Sequence, residues 1–438
     1  MNVGPILYFL DYLWQNYLYY FWEIFRSWWW ILAPFVLWKP FSFLYLWWRS
    51  EAWTKKQRMI LLEIRLPREI LKPIRAMEQV MASLHRAVYT SPDWWEKWIE
   101  GQVPLSISFE IASIGGETHF YIRAHSSFRD AIEASIYSQY PQVEINEVED
   151  YTKYVPQDIP NKDWALWGAD YCLARDDHFP IKTYPKFEVE TIKEEEKKVD
   201  PVAVLLEALA KVKPGEQIWI QIIATPLRGP LAEAWVKKGE EIRDRLVRRP
   251  LPSPPKPLLQ EAVEVLISGP PSPKPEKEEI FPTEMRLTPG EKEIVARLEE
   301  KISKPIFLVN IRAIYLGKRK VWFKPNFRLL HSYFNSYTTT NLNAFSTLRK
   351  TFPKIRKSWF LPLNLLIPRR EYLRCRRLFR NYVRRNSPFF PRKGGTFILN
   401  TEELASLYHF PSEEVAPAPG VIRVEAKKKG VSFQLPTE

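Results

Sequence analysis

Residues 369–385, RREYLRCRRLFRNYVRR, carry eight arginines and one acid, Glu371. Arg374, Arg377, Arg380 and Arg384 recur along one side of a helix, Arg369 and Arg370 open it, and Tyr372, Phe379 and Tyr382 are interleaved. Guanidinium groups neutralise phosphates, and aromatic rings between them stack on bases. These six arginines are therefore candidate anion- or nucleic-acid-binding residues. A basic helix lying on anionic lipid would show the same pattern, as would contact with an acidic protein. The charge is segregated. From Arg312 to Lys393 there are 21 Lys/Arg and one acid, a net +20; the whole chain carries +13, which leaves −7 elsewhere. The basicity belongs to one segment and points to an anionic partner there.

Other residue types could do chemistry, but their spacing argues against it. LGKRK, at 316–320, has a Gly-Lys pair and no glycine loop before it, so it cannot wrap a phosphate. His119 and His125 share strand parity without a third ligand nearby, and surface or hydrogen-bonded histidines explain them. Cys172 stands near Asp176, Asp177 and His178, with Arg175 the only local positive charge, so an inert thiol is expected. Glu147, Glu149 and Asp150 read as a solvated strand edge. No G-x-S-x-G, H-E-x-x-H or G-x-G-x-x-G motif occurs. No catalytic, cofactor-binding or metal-binding residue is assigned, and no enzymatic activity is expected. The two cysteines, Cys172 and Cys375, make no disulfide framework and fit a reducing compartment.

The N-terminus is different in kind. Residues 5–48 contain two apolar runs, the second (27–48) 22 residues long between Arg26 and Arg49. About 20 apolar residues suffice to span a bilayer, so a membrane helix segment over 1–50 is expected. Lys39 and Pro40 interrupt it, and an interfacial position is the alternative. Trp28, Trp29, Trp30, Trp38, Trp47 and Trp48 suit headgroup depth. Lys55, Lys56 and Arg58 follow directly, which places the downstream domains in the cytoplasm at the cell membrane.

The elements that must position these groups are legible in part. A strand (58–67), a helix (68–89) with apolar residues three and four apart, and a strand (104–114) come first. Gly115-Gly116 makes a hairpin to a strand at 118–124; a helix capped by Ser127 and a strand at 143–150 follow. The order β-α-β-β-α-β predicts an α+β, ferredoxin-like sandwich over 58–151. A second, less regular α/β unit over 180–337 would begin with a strand at 180–192 and hold a Pro-rich loop, 250–289. If it repeats the first, the chain is a tandem of two sandwiches. A basic helical region with a strand and a helix capped by Thr401 fills 338–411, and 412–438 is an extended tail.

The stretches FEIASIGGETHFYIRAHSSFRDAIEASIYSQYPQVEINEVEDY and LNTEELASLYHFP (399–411) resemble the N-terminal, non-ATPase region of type IV secretion and conjugation-like motor proteins from candidate-phylum bacteria. In those proteins a membrane segment and an uncharacterised α/β region precede an FtsK- or helicase-fold motor. The resemblance implies a membrane-anchored scaffold of a DNA or protein translocation machine, with the lipid bilayer, a separate P-loop ATPase, nucleic acid and further copies of itself as partners. It brings no catalytic residues and no cofactor. The chain ends at Glu438, where the motor would begin, and carries no Walker motif, so the ATPase is expected on another chain or on the missing part of a split gene. A membrane-tethered nucleic-acid-binding protein without a secretion role is the alternative.

Overall fold

The computed structural model describes residues 12, 14, 19–67, 70, 72–187, 200–247, 287–357, 364–386, 395–411, 420, 421, 423 and 424. Two compact units result, one of residues 1–58 with 90–104, the other of residues 59–89 with 105–438.

In the first unit, α1 (Tyr19–Lys56) runs 38 residues with Pro34 and Pro40 inside it, about 57 Å at 1.5 Å per residue. Trp98, on a wide-turned segment (Glu96–Glu100), stacks on Trp38 and Tyr45, each with ring centroids 6.4 Å apart. Gly101 ends that turn in the left-handed region, φ 77°, where a Cβ would sit 2.6 Å from the backbone of Arg49. Only glycine meets both conditions.

The expected membrane-spanning helix is not found: no helix among the described residues is long and apolar enough to cross a membrane. The run 27–48 is rich in indoles, six of its 22 residues being Trp, and Lys39 lies inside it, while Glu23 and Arg26 charge the helix just ahead of it. Trp28, Trp38 and Trp48 are each 59% exposed, and Trp47 is exposed as well. The side chains of Trp29 and Trp30 lie outside the described residues, as does most of the first apolar run.

The second unit is one antiparallel-dominated sheet carrying helices. Its first part is β1 (Met59–Pro67), α2 (Ile74–Val88), β2 (Ile107–Ile114), β3 (Glu117–His125), α3 (Arg129–Tyr137) and β4 (Glu144–Val148). The strands lie in the order β4-β1-β3-β2, all antiparallel. α2 starts at Ile74 rather than in the expected 68–73 region because Pro73 holds extended backbone before it. Ser127 does not cap α3; instead the His125 ring accepts from Ser127 N–H in the turn before it.

The second part repeats this order. It comprises β5 (Trp164–Leu173), α4 (Pro201–Ala210), β6 (Glu216–Leu227), α5 (Pro230–Leu246), α6 (Pro289–Ser303), β7 (Ile306–Lys318), α7 (Arg328–Ser336) and β8 (Phe345–Thr347). The strands lie β6-β7-β5-β8, and α5 and α6 are an insertion in the β6–β7 hairpin. β2 pairs antiparallel with β6 from Ile107↔Ala224 to Ile114↔Gln217 and fuses the halves into a single sheet. From that seam outward the order reads the same both ways. The second half begins at β5, not at residue 180. The expected strand at 180–192 is absent over its described part, where residues 184–187 form a helical turn; 188–192 lie outside the described residues, as do 250–286 of the Pro-rich loop.

α8 (Ile367–Arg384) then packs on β5, and β9 (Phe397–Asn400) adds to β7. α9 (Thr401–Leu407) is capped by Asn400 and Glu403, a reciprocal capping box, rather than by Thr401. β10 (Arg423–Val424) pairs parallel to β1; the rest of 412–438 beyond 420, 421, 423 and 424 is outside the described residues.

The segment after α9 plugs the core of the first half. Tyr408 meets Phe109, and Phe410 meets Phe120 and Tyr140, with ring centroids 5.0–5.6 Å apart. His409 Nε2 meets Asp200 Oδ1 at 2.9 Å, both buried, and Asp200 also caps α4. Burial alone would lower the His409 pKa, but the charge and hydrogen bond of Asp200 outweigh it and leave it raised. Burial likewise fails to raise Asp200, which His409 holds lowered. The pair's stabilisation is therefore full below the ordinary histidine value of 6.5 and is lost as pH rises through the raised value. At the acid end it is lost as pH falls from 3.8 through the lowered Asp200 value. His409→Gln is expected to cost about 1.5–3 kcal/mol between those limits. Denaturant midpoints of parent and variant should converge on the alkaline side; a gap that persists there would show that the pair's charge does not matter.

Candidate nucleic-acid interface

α8 forms because long side chains of good helix propensity fill it, with Pro368 in its first turn, where no N–H is missed. Its inner stripe, Cys375, Leu378, Phe379 and Tyr382, is buried. Gly168 of β5 lets it lie close, since a Cβ there would sit 2.7 Å from Leu378 Cδ2 and 2.6 Å from Ala313 O. Phe379 and Tyr382 are core residues, so they are not available to stack on bases, whereas Tyr372 is 40% exposed.

Of the six candidate arginines, Arg369, Arg370, Arg377, Arg380 and Arg384 are exposed, with Arg376 beside them. Arg374 is not on that face: it is half-buried, and its Nη1 donates to Phe352 O at 2.7 Å. Glu371 turns away to accept from Ile355 N–H at 3.2 Å. The outward face of α8 is thus arginine without acid. Basic groups at the end of β7 (Lys318, Arg319, Lys320) are exposed too, as is Lys324, which lies 3.4 Å from the Trp167 ring centroid.

Two arginines of the basic segment do a different job. Arg385, in the left-handed region at φ 53°, is buried at the end of α8. Its Nε donates to Glu110 Oε1 at 2.9 Å, its Nη2 to Glu110 Oε2 at 3.1 Å, and its Nη1 is bound to Asp150. Burial alone would raise the Glu110 carboxyl, but Arg385, Ser108 and Tyr151 outweigh it and hold it low. Tyr151 donates to Glu110 Oε2 at 2.7 Å and meets the Tyr382 hydroxyl at 2.7 Å. Arg312, fully buried in β7, donates through Nε to Asp170 Oδ1 at 2.7 Å. Directly opposed partners therefore run across the sheet as one polar row: Glu63, Tyr121, Glu110, Gln221, Arg312, Asp170. The row anchors the end of α8. The sequence signals were present: Arg385 follows Leu378 and Tyr382 at core spacing, and Arg312 is a lone charge inside FLVNIRAIYL.

The remaining candidates hold the fold. Asp150 is bound to Arg385 and is no solvated edge; Glu147 and Glu149 are exposed, as expected, and pair at the surface with Arg129 at 2.8 Å and Lys153 at 3.0 Å. His119 Nδ1 lies 2.7 Å from Glu63 Oε1, and His125 Nδ1 2.7 Å from Ser127 Oγ. Asp176, Asp177 and His178 have metal-ligand types within 4.8 Å of one another. Their donors are already engaged. His178 Nδ1 faces Asp176 at 2.5 Å and its Nε2 faces Trp235 O at 3.0 Å; Asp177 accepts from Trp235 Nε1 and Ile398 N–H. A metal would have to break these bonds, so the cluster does not fit one. Burial raises both thiols, that of Cys375 to about 12, which makes them poor nucleophiles.

An open cleft of about 540 Å³ adjoins the arginine face, lined by Asp158, Pro160, Asn161, Lys162, Arg319 and Tyr372. A family model described as a domain of unknown function matches residues 50–419. Among curated proteins nothing matches.

Proposed function

The chain belongs to the DUF8128 family of domains of unknown function, and from its surface chemistry we propose a non-catalytic scaffold that presents α8 to nucleic acid. In this reading it is an assembly component of a translocation machine similar to type IV secretion, with the P-loop ATPase on a separate chain. The observation that carries the nucleic-acid role is the outward face of α8, with exposed Arg369, Arg370, Arg376, Arg377, Arg380 and Arg384 and the sole acid turned inward. The fused sheet gives that face a rigid base. The likeness of 105–151 and 399–411 to secretion-type proteins supports the machine. The exposed indoles of α1, followed by Lys55, Lys56 and Arg58, support contact with the cytoplasmic bilayer surface at headgroup depth.

One observation favours a second reading. Leu365, Leu366 and Leu373 are 83%, 51% and 51% exposed among the arginines. Leucines gain from acyl chains and nothing from phosphates, so α8 itself would lie on anionic lipid.

The test is duplex and single-stranded DNA binding as a function of salt, for the parent and for Arg369→Gln/Arg370→Gln/Arg377→Gln/Arg380→Gln. The parent should lose affinity steeply with salt. Each lost phosphate contact lowers the log–log slope on duplex by about 0.9, so the variant's slope should fall by about 3.6 and its affinity by about 10–100-fold. A parent that binds phosphatidylserine vesicles but not DNA would replace this reading with the second.

A further inference from the structure

We infer that the cleft beside Tyr372 seats one unstacked base, so that the α8 surface selects single-stranded over duplex nucleic acid; this rests on the nucleic-acid reading above. The cleft, about 540 Å³, falls within the 300–1,000 Å³ usual for small-ligand sites, large enough for a single nucleotide. One wall is the Tyr372 ring, 40% exposed and held by Arg376, whose Nη1 donates to its hydroxyl at 2.9 Å. The other wall is a preformed turn. Asn161 Nδ2 donates to Asp158 Oδ1 at 2.9 Å, and Asn161 Oδ1 accepts from the N–H groups of Asp163 and Trp164 at 2.9 and 2.7 Å. Arg319 ties β7 to this turn, donating through Nε to Asn161 O at 3.0 Å and through its N–H to Asp163 O at 2.8 Å.

The chemistry divides between the walls. Tyr372 supplies the π-face on which a base stacks. Arg319 and Lys162 supply positive charge for its flanking phosphates, continuous with Arg376 and Arg377. Asp158 repels phosphate but accepts a hydrogen bond from an exocyclic amino group, which suits cytosine or adenine rather than thymine. A duplex keeps its bases stacked and paired and cannot fill such a cleft, although it can use the arginines.

The experiment measures affinity for oligo-dC and for a duplex with the full chain, comparing the parent, Tyr372→Ala and Tyr372→Trp. Stacking on an aromatic side chain contributes about 1–3 kcal/mol per base, so Tyr372→Ala should bind oligo-dC about 5–150-fold more weakly. Its duplex affinity should stay within about twofold, and Tyr372→Trp should restore single-strand binding. Freeing Arg376 from its hydroxyl partner would affect both nucleic acids alike, so the difference between them isolates the ring. Equal losses on both, or no loss on oligo-dC, overturn the base-seating cleft and leave the arginine surface standing. A parent that binds neither overturns both.

Discussion

Arg385→Met lowers the free energy of unfolding by about 3–5 kcal/mol, because it strands Glu110 as a buried carboxylate without its counter-charge. Arg385 and Glu110 are 2% and 0% exposed at the side chain. The left-handed backbone at 385 costs Met what it costs Arg, so strain does not confuse the comparison. The pH dependence distinguishes a lost ion pair from lost packing. In the parent, Glu110 is held below the carboxylate value of 4.5, so its stabilisation is lost as pH falls through that lowered value. In the variant, the Ser108 and Tyr151 hydrogen bonds remain but the Arg385 charge is gone, so burial weighs more and raises the carboxyl, and the variant gains stability as pH falls through the raised value. Both effects narrow the gap in acid. Denaturant unfolding at neutral and mildly acidic pH reads this directly. A deficit under about 1 kcal/mol, or one that does not change with pH, would mean that Glu110 finds other partners.

Lys301→Met should be comparably severe, at about 3–5 kcal/mol. Lys301 Nζ lies 2.9 and 3.1 Å from the Glu403 oxygens, and both side chains are fully buried. Glu403 is committed elsewhere as well: it accepts from Ile181 N–H at 2.9 Å and closes the α9 capping box through Asn400 N–H at 3.0 Å. The inserted helix α6 is thereby fastened to α9, with Lys304 bound to Glu78 and Glu402 alongside. Adding Glu403→Gln removes the stranded charge and retains an acceptor for the cap. The double variant should therefore recover about 2 kcal/mol of the loss. Two variants of equal stability would show that the pair's charge is not what holds α6.

These groups mark where local sequence ceases to inform. Met77, Met81, Leu84 and Val88 announced α2 because a helix on a core repeats its apolar side every three to four residues. β5, WALWGADYCL, announced nothing, since a strand buried on both faces loses the alternation that marks one. The β2–β6 seam joins residues about a hundred positions apart, and no local pattern encodes its register. On α8, helical spacing brought out the exposed Arg377, Arg380 and Arg384 but grouped Arg374, Phe379 and Tyr382 with them. It could not show that Arg374 turns to Phe352 O, or that Phe379 and Tyr382 are core. The aromatic N-terminus misled in the opposite sense: length satisfied the requirement for a span, while its indole side chains and the internal Lys39 did not meet the hydropathy.

The plug formed by α9, Tyr408 and Phe410 dictates an order of events during synthesis. α2 is complete when residue 88 is made, yet the helix that covers it begins at residue 401. At about 5–20 residues per second, roughly 15–60 s separate the two. From residue 140 to residue 408, roughly 13–54 s at that rate, Phe109, Phe120 and Tyr140 have been translated but lack the rings that seal them. The nascent first half is then a sheet with an open greasy side, a substrate for chaperones until residues 401–410 leave the ribosome.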